Sequence, residues 1–421
     1  GPFKGPSSNR PLWGRYLIAN EPTALPAPGT QMALDVTVRS LAVGHAFPGG
    51  LKDMQDTWLE VVIRDGAGRV VARSGTSAAR GNDPNAYYLR AAVVDETGRI
   101  ETRHQVSHFG TVVYDHTVPA AGARTVRYRF VLPNATSAPL VATIRLKHRK
   151  HREELRAAAC AASRSGRGRA MAAAGAARGQ IVIDGCEREP VTLVATHQVR
   201  FFQSVERTSE AQPLWSQLYD HALGLSSTVQ ERLDEPRQVA ELALAHMPPE
   251  QTARDRANVL CLLGMVAARQ GRVEAAEDLA DRAHRLVGAQ PAVLRVRADA
   301  NLQVWRFEVA ERALRALVAL SPRDTAAHRD LARARLSIGD PLGAQYAARR
   351  GLALQPRDEG LLRVQAIALA ALGHPDAEAA RRAYLRYRVA DEDTARKLAC
   401  DRRSSTCSRD RMPVVTIAAG P

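Results

Sequence analysis

The sequence predicts two regions of different fold class, an all-β domain followed by an all-α array of repeated helix pairs. From about residue 30 to 205, apolar and polar residues alternate as they do in half-buried strands. Beyond residue 214, the apolar residues recur at helical spacing instead. A chain of 421 residues is also longer than one compact core usually supports, so two or three domains are expected.

The composition argues against nucleic-acid binding and against a membrane-spanning helix. The formal net charge is +15, with 59 Lys and Arg against 44 Asp and Glu, and the excess is mostly arginine spread along the chain beside acidic residues. Because no basic stripe is interleaved with aromatic residues, nucleic-acid binding is not expected. No apolar run is long enough to predict a membrane-spanning helix.

The β region covers residues 30–205, after an expected N-terminal linker at 1–29. Eight segments with alternating or β-branched residues are separated by turn sequences such as RDGAGR, DETGR and PNATSAP. Short strands joined by tight turns predict an antiparallel sandwich of immunoglobulin-like architecture. Residues 152–179 are rich in Ala and Arg, and we expect them to form a helical excursion between the last two strands.

Two similar segments are read as strands, PVTLVA at 190–195 and PVVTIA at 413–418. The first is expected to close the sandwich. The second has no local partner in the sequence, which leaves two alternatives. It lies against the β domain of its own chain, which we favour because closed contacts are commoner than open ones, or it adds to the sheet edge of a neighbouring copy as a donor strand.

The helical region is predicted to begin with an atypical capping pair at 206–256. Residues 257–392 then repeat with an offset of 34 positions, which places Gly271, Trp305, Gly339 and Gly373 in the turn between two helices. Small residues recur at two further points of the units, although Glu378 breaks one of these two series in the last unit, and SPRD and QPRD close two of the units. A turn residue and two small residues that all recur every 34 positions are typical of tetratricopeptide repeats. Four copies are therefore predicted, in preference to an unrelated helical bundle. Such arrays leave a concave surface for protein partners.

Residues 393–421 are expected to hold a capping helix, a Cys-bounded loop and the C-terminal strand. Cys400 and Cys407 flank that loop and are a candidate disulfide, and Cys160 and Cys186 are a second candidate pair. Cys261 lies in an apolar helical run and is expected in the core. Two pairs and one buried thiol suit a periplasmic or secreted protein. The sequence contains no Cys-x-x-Cys-His segment for covalent haem attachment.

Two stretches carry a resemblance to a known family. GHAFPGGLKDMQDTWLEVVIRDGAGRVVARSG, then HFGTVVYDHTVPAAGARTVRYRF, then the repeats resemble the C-terminal part of multihaem c-type cytochromes. That resemblance implies an extracytoplasmic bacterial electron-transfer system, in which haem c is carried by a segment or partner chain outside this sequence. Either the chain is the C-terminal part of a longer cytochrome, or it is a relative that works without haem.

His45 is the candidate cofactor-binding residue, because the resemblance implies that the loop histidine is an axial ligand to haem. The alternative is that His45 only hydrogen-bonds across its loop. Zinc is not expected at His104, His108 or His116, because the first two stand about 13 Å apart on a strand and no ligand spacing fits. No hydrolase, phosphate-binding or metalloprotease motif occurs, so no metal site, catalytic residue or enzymatic activity is predicted.

Two function classes therefore follow from the sequence. In the first, the chain is the structural and partner-docking portion of a multihaem electron-transfer system. In the second, it is a protein-interaction scaffold or a self-assembling subunit, which uses the repeat array and the C-terminal donor strand and has no redox role.

Overall fold

The structure, a computed structural model, describes residues 24–41, 43–78, 83, 85–182, 184–203, 212–227, 233–403 and 414–417. Contacts divide the chain into two compact units. One unit is rich in β-strands and includes the residues from Ala395 onward, and the other is helical and ends at Thr394. None of the described helices is both long and apolar enough to cross a lipid bilayer.

Short strands that alternate in exposure build the β-rich unit. They are β1 (Gln31–Arg39), β2 (Asp56–Arg64), β3 (Val70–Ser74), β4 (Tyr87–Tyr88), β5 (Ala91–Val94), β6 (Thr111–Asp115), β7 (Ala123–Val131), β8 (Leu140–Arg149), β9 (Thr192–Phe201) and β10 (Val414–Thr416).

The strands form two sheets and a hairpin. The larger sheet has the order β3-β2-β8-β9, with β4 also paired to β2, and the smaller sheet has the order β1-β7-β10. The strands β5 and β6 form a separate pair. Among the described strands, all pairings are antiparallel except that of β10 with β7, which is parallel.

The two sheets share one hydrophobic core. Val36, Val126 and Tyr128 come from the smaller sheet, and Val61 and Ala142 come from the larger one. All five side chains are buried because alternate residues of each strand point inward. The N-terminal region is thus a β-sheet region with a two-sheet core, while its immunoglobulin-like assignment stays a prediction.

Paired charges are buried within this unit. Arg127 in β7 lies opposite Asp35 in β1 and donates two hydrogen bonds of 2.7 Å to its carboxylate. Asp56, which is 2% exposed, accepts from Arg90 at 2.9 Å and also from Arg149. Burial of these charges is tolerated because each is hydrogen-bonded to an opposite charge.

Two expectations for the β region differ from the structure, and one is confirmed. Strand β9 does not close a sandwich but ends the larger sheet, where Leu193 and Val194 are 52% and 44% exposed. The C-terminal strand pairs with β7 of its own chain, as the favoured alternative predicted. Residues 106–108 form a 3₁₀ turn and not part of a strand, so the distance estimated between His104 and His108 along a strand does not apply.

Two helices follow β8, where the Ala/Arg-rich excursion was expected: α1 (Glu153–Arg164) and α2 (Gly166–Ala176). Two acidic residues in the first turn of α1 favour a helix start there, because they compensate the helix dipole. Ser165 caps α2 by accepting a hydrogen bond from the Gly168 amide at 3.0 Å.

The helical unit consists of consecutive helix pairs. Its helices are α3 (Leu214–Ser226), α4 (Asp234–Ala245), α5 (Ala253–Arg269), α6 (Val273–Val287), α7 (Pro291–Gln303), α8 (Phe307–Leu320), α9 (Thr325–Ser337), α10 (Pro341–Leu354), α11 (Glu359–Ala371) and α12 (Ala377–Tyr387). A last helix, α13 (Asp391–Arg403), crosses the boundary between the two units.

The four predicted repeats correspond to the pairs α5/α6, α7/α8, α9/α10 and α11/α12. The residue in each inter-helix turn has a left-handed backbone, with φ of 71° at Gly271, 79° at Gly339 and 60° at Gly373. Alanine and leucine side chains fill the interfaces between helices, where small residues let the backbones approach closely. The C-terminal region is therefore a tetratricopeptide-like array preceded by the pair α3/α4.

Candidate functional site

His45, the candidate haem ligand, is exposed on the loop between β1 and β2. Its Nδ1 lies 2.9 Å from the carbonyl oxygen of Ala46. A carbonyl oxygen only accepts hydrogen bonds, so Nδ1 carries the hydrogen and the neutral ring keeps its lone pair on Nε2. A Cβ at Gly49 would lie 2.7 Å from His45 Cε1, so glycine leaves room for the ring.

The loop that carries His45 is attached to the strand framework. The backbone of Phe47 exchanges two hydrogen bonds with Val118, at 2.8 and 2.7 Å, just before β7 begins. Gln55 donates a hydrogen bond to the Gly49 carbonyl at 3.0 Å. The loop is therefore anchored at Phe47 and Gly49, which follow His45 in the chain.

The other histidines of this unit make local contacts. His104 Nδ1 lies 2.6 Å from Asp53, and the ring of His116 stacks between Tyr87 and Tyr114 at centroid distances of 5.5 and 4.2 Å. Within the described ranges, no group of three or more His, Cys, Asp or Glu side chains is placed to bind a metal ion.

The cysteines are placed as follows. Cys160 in α1 and Cys186, which precedes β9, form a disulfide. Cys400 in α13 is buried and disulfide-bonded, while Cys407, its expected partner, lies outside the described residues. Cys261 is a buried free thiol, and burial raises its pKa to about 11. At neutral pH that thiol is protonated, which disfavours a nucleophilic role.

Each repeat in the centre of the helical unit is tied to the next by the same ion pair. Arg295 in α7 donates to Asp324 at 3.1 Å, and Arg329 in α9 donates to Asp358 at 2.8 Å. Both aspartates also cap the following helix, since each accepts a backbone hydrogen bond at 2.9 Å. The Asp of SPRD and QPRD therefore has a structural role, because it caps one helix and pairs with an arginine of the preceding repeat.

Acidic side chains surround Arg295. Besides Asp324, its guanidinium lies 2.8 Å from Asp330 and 3.7 Å from Asp299. Burial raises the pKa of Asp299 to about 6, with a further contribution from the charge of Asp330, although Arg295 opposes the shift. Asp299 thus titrates closer to neutral pH than an ordinary carboxylate.

The turn between α7 and α8 departs from the other three turns of the array. Trp305 occupies the position of the turn glycines, has a left-handed backbone with φ of 62°, and is 79% exposed. It borders an open pocket of about 380 Å³, lined also by Leu302, Gln303, Phe307, Arg333 and Ser337. An exposed indole, two apolar side chains and a guanidinium thus converge at one place.

Sequence reasoning placed Trp305 in its turn but gave it no role, and it missed the arginines. Arg295, Arg329 and Arg363 recur at the repeat spacing of 34 residues, so the register itself could have found them. Arg333 has no such signal. Its place beside Trp305 depends on the packing of α9 against α8, which is a tertiary contact.

Comparisons with known proteins reach only part of the chain. A crystal structure of MamA is 16% identical over 41% of this chain and 91% of its own, with a TM-score of 0.31. MamA 41-end from Desulfovibrio magneticus RS-1 is 15% identical over 45% of this chain and 95% of its own, with a TM-score of 0.35. No protein-family model and no curated protein matches the sequence, so the resemblance to multihaem cytochromes has no support from these comparisons.

Proposed function

We propose that this chain is a protein-interaction scaffold whose repeat array binds a partner protein, and that it catalyses no reaction itself. The observation that carries the proposal is the exposed Trp305 with its pocket, at the one turn among the four repeats that lacks glycine. Indole and guanidinium groups are the side chains that most often dominate protein–protein binding energy.

The array also has the rigidity that such a role needs. Its repeats share continuous cores of Ala, Leu and Val side chains, and ion pairs such as Arg329–Asp358 connect neighbouring repeats. A preorganised surface loses little conformational entropy when a partner binds, which favours affinity.

Cross-linking of the full chain through its carboxyl groups, in an extract of its native source, tests this proposal, because none of the five lysines lies in α5–α12. Cross-linked peptides identified by mass spectrometry should join a partner to residues of α5–α12, and the same partner should co-elute with the chain. Reproducible cross-links of a partner to the β-rich unit alone would refute a binding role for the array.

Location outside the cytoplasm is part of the proposal. The disulfide between Cys160 and Cys186 supports it, because thiols in the cytosol are kept reduced. Protection of these two cysteines from alkylation, in cells lysed under acid quench, is the expected result. Free thiols at both positions would contradict the proposed location.

A second candidate function follows from His45, as the portion of a multihaem electron-transfer system that lies beside a haem. The supporting observation is the hydrogen bond of Nδ1 to Ala46, because metal-binding histidines commonly donate their other ring nitrogen in this way. Bound haem would supply electron transfer, and the chain would contribute the ligand nitrogen and its orientation.

The absorption spectrum of protein from its native source, reduced with dithionite, separates the two candidates. Sharp Soret and α bands that change in His45→Ala would support the second candidate. A featureless spectrum, or haem bands that His45→Ala leaves unchanged, would refute ligation and leave the interaction scaffold.

A further inference from the structure

The backbone at Trp305 is unfavourable for a residue with a side chain. Gly271, Gly339 and Gly373 adopt the left-handed conformation in the equivalent turns without penalty, because glycine has no Cβ. A bulky aromatic residue in that region is an outlier, and such outliers concentrate at functional sites. Folding of the turn therefore gives no reason for tryptophan at this position.

The indole is not compensated by burial, since Trp305 is 79% exposed. Instead it forms one wall of the pocket, with Leu302 and Phe307 as the other apolar walls. Single exposed apolar residues are ordinary on proteins, but an exposed tryptophan that borders a pocket lined by both polar and apolar side chains marks a place where a ligand can bind.

Arg333 gives this pocket a positive charge. Arg333 forms no ion pair with any described residue, whereas Arg295, Arg329 and Arg335 each pair with an acidic side chain. Asp299 is close enough for Arg333 to lower its pKa, but lies beyond ion-pair distance. The pocket lining includes no acidic residue, so the Arg333 guanidinium is available to an anion.

We propose that this pocket binds an acidic segment of the partner protein, in which a carboxylate side chain stands beside a large apolar one. The apolar side chain would pack against Trp305 and Phe307, and the carboxylate would accept hydrogen bonds from Arg333. Ser337 and Gln303 supply further donors at the pocket wall. This inference rests on the proposed scaffold function and names the chemistry of its partner.

Two other occupants fit less well. A nucleic acid brings a row of phosphates and needs several free basic side chains, whereas Arg295, Arg329 and Arg335 are already paired with acidic side chains. A second copy of this chain carries the same net charge of +15, so long-range repulsion disfavours it relative to an acidic partner. Both remain outcomes that the experiment distinguishes.

The test is selection of peptides from a random display library on the purified full chain, followed by titration of the selected peptides by fluorescence polarisation. Three variants are titrated in parallel. Trp305→Gly restores the residue of the other turns, Arg333→Gln removes the free charge, and Arg323→Gln removes an exposed charge from the turn between α8 and α9 as the matched control.

Selected peptides should be enriched in Asp or Glu beside Trp, Phe or Leu. Trp305→Gly and Arg333→Gln should each weaken their binding by at least about tenfold, while Arg323→Gln should leave it within about twofold. Thermal melts followed by circular dichroism show whether each variant keeps the helical fold. Replacing the carboxylates of the peptide with amides should weaken its binding to the wild-type chain by the same factor as Arg333→Gln weakens binding of the unmodified peptide.

Peptides that bind all three variants equally well would refute binding in this pocket. The peptide would then bind elsewhere on the array. Recovery of no acidic-apolar peptide would also overturn the proposal. If oligonucleotides bind, and Trp305→Gly and Arg333→Gln weaken that binding while peptides do not bind, the occupant is a nucleic acid. If the chain self-associates and Trp305→Gly abolishes the association, the occupant is a second copy. The cross-linking experiment stands apart, so failure here does not decide the scaffold function.

Discussion

Substitution Gly264→Ala tests whether the packing of the first repeat is as tight as the structure indicates. Gly264 is a buried residue of α5, at the position where the other three repeats have Ala298, Ala332 and Ala366. By helix propensity alone, alanine here should stabilise the protein by about 1 kcal/mol. The repeat pattern suggests the same change, since alanine is the usual residue at this position.

The packing predicts the opposite sign. A Cβ at Gly264 would lie 2.7 Å from Cγ1 of Val296, a fully buried residue of α7, and 3.6 Å from Cβ of Leu279. Valine in a helix has one strongly preferred rotamer, so its methyl group cannot turn aside. Overpacking of this kind costs about 1–3 kcal/mol, which exceeds the gain in propensity. We expect a net loss of about 1 kcal/mol, or about 3 °C in Tm.

Urea unfolding of both proteins, followed by far-ultraviolet circular dichroism, measures this difference. The matched control is the same change in a Val296→Ala background, where the obstructing methyl groups are absent. There, Gly264→Ala should raise the unfolding free energy, because the new methyl fills space and improves helix propensity. If Gly264→Ala stabilises the unmodified chain, the close approach of α5 to α7 is wrong.

Three other predictions concern charges and the disulfide. Burial raises the pKa of Asp299 to about 6, so the stability that its protonated form provides is present below about pH 4 and lost as pH rises through 6. Asp299→Asn should leave the urea midpoint unchanged near pH 4 and raise the unfolding free energy at pH 8 by no more than about 1 kcal/mol, because the side chain is 38% exposed and solvent screens its charge. Replacing both Cys160 and Cys186 with serine opens a loop with a sequence separation of 26, and should cost about 3 kcal/mol in the unfolding of the β-rich unit; an unchanged midpoint would contradict this. Asp35→Asn leaves the buried Arg127 without its carboxylate and should cost about 3 kcal/mol by the same assay, most of which the additional change Arg127→Met should restore.

The sequence predicted those features that depend on neighbouring residues or on a fixed repeat. Turn glycines in the 34-residue register have left-handed backbones in the structure, as the repeat requires, and the helix pairs follow the predicted repeats, except that α5 begins at Ala253, before the predicted start at residue 257. Strand positions were also predictable, because alternation of apolar residues along β1 and β8 reports directly which side of each strand faces the core.

Pairing between distant segments was not predictable from the sequence. The segment at 413–418 resembles 190–195, but the similarity does not say which strand accepts it. Its partner β7 lies more than 280 residues earlier in the chain, and a free edge of the smaller sheet beside Arg127 and Arg129 decides the pairing. Nor did alternation show that β9 would stay exposed, because exposure depends on how far the opposite sheet extends.

In the candidate site, too, some features were predictable from the repeat pattern and others depend on tertiary contacts. Trp305 was placed correctly by register, yet the local pattern could not show that Arg333 stands beside it without an acidic partner. A free charge is defined by every side chain that packs nearby: besides Asp299 in its own helix, Arg295 is neutralised by Asp324 and Asp330, which come later in the chain. Charge availability is therefore a property of the folded array.

Energies estimated for Trp305 show why a partner is needed to explain it. The left-handed backbone costs about 1–2 kcal/mol for a residue with a Cβ. About a fifth of the side chain is covered, which is about 50 Å² and returns about 1 kcal/mol, so folding gains nothing over glycine. A partner that covered the remaining area of about 200 Å² would gain about 5 kcal/mol before the costs of association. Only the bound state therefore makes tryptophan the favourable residue at this turn.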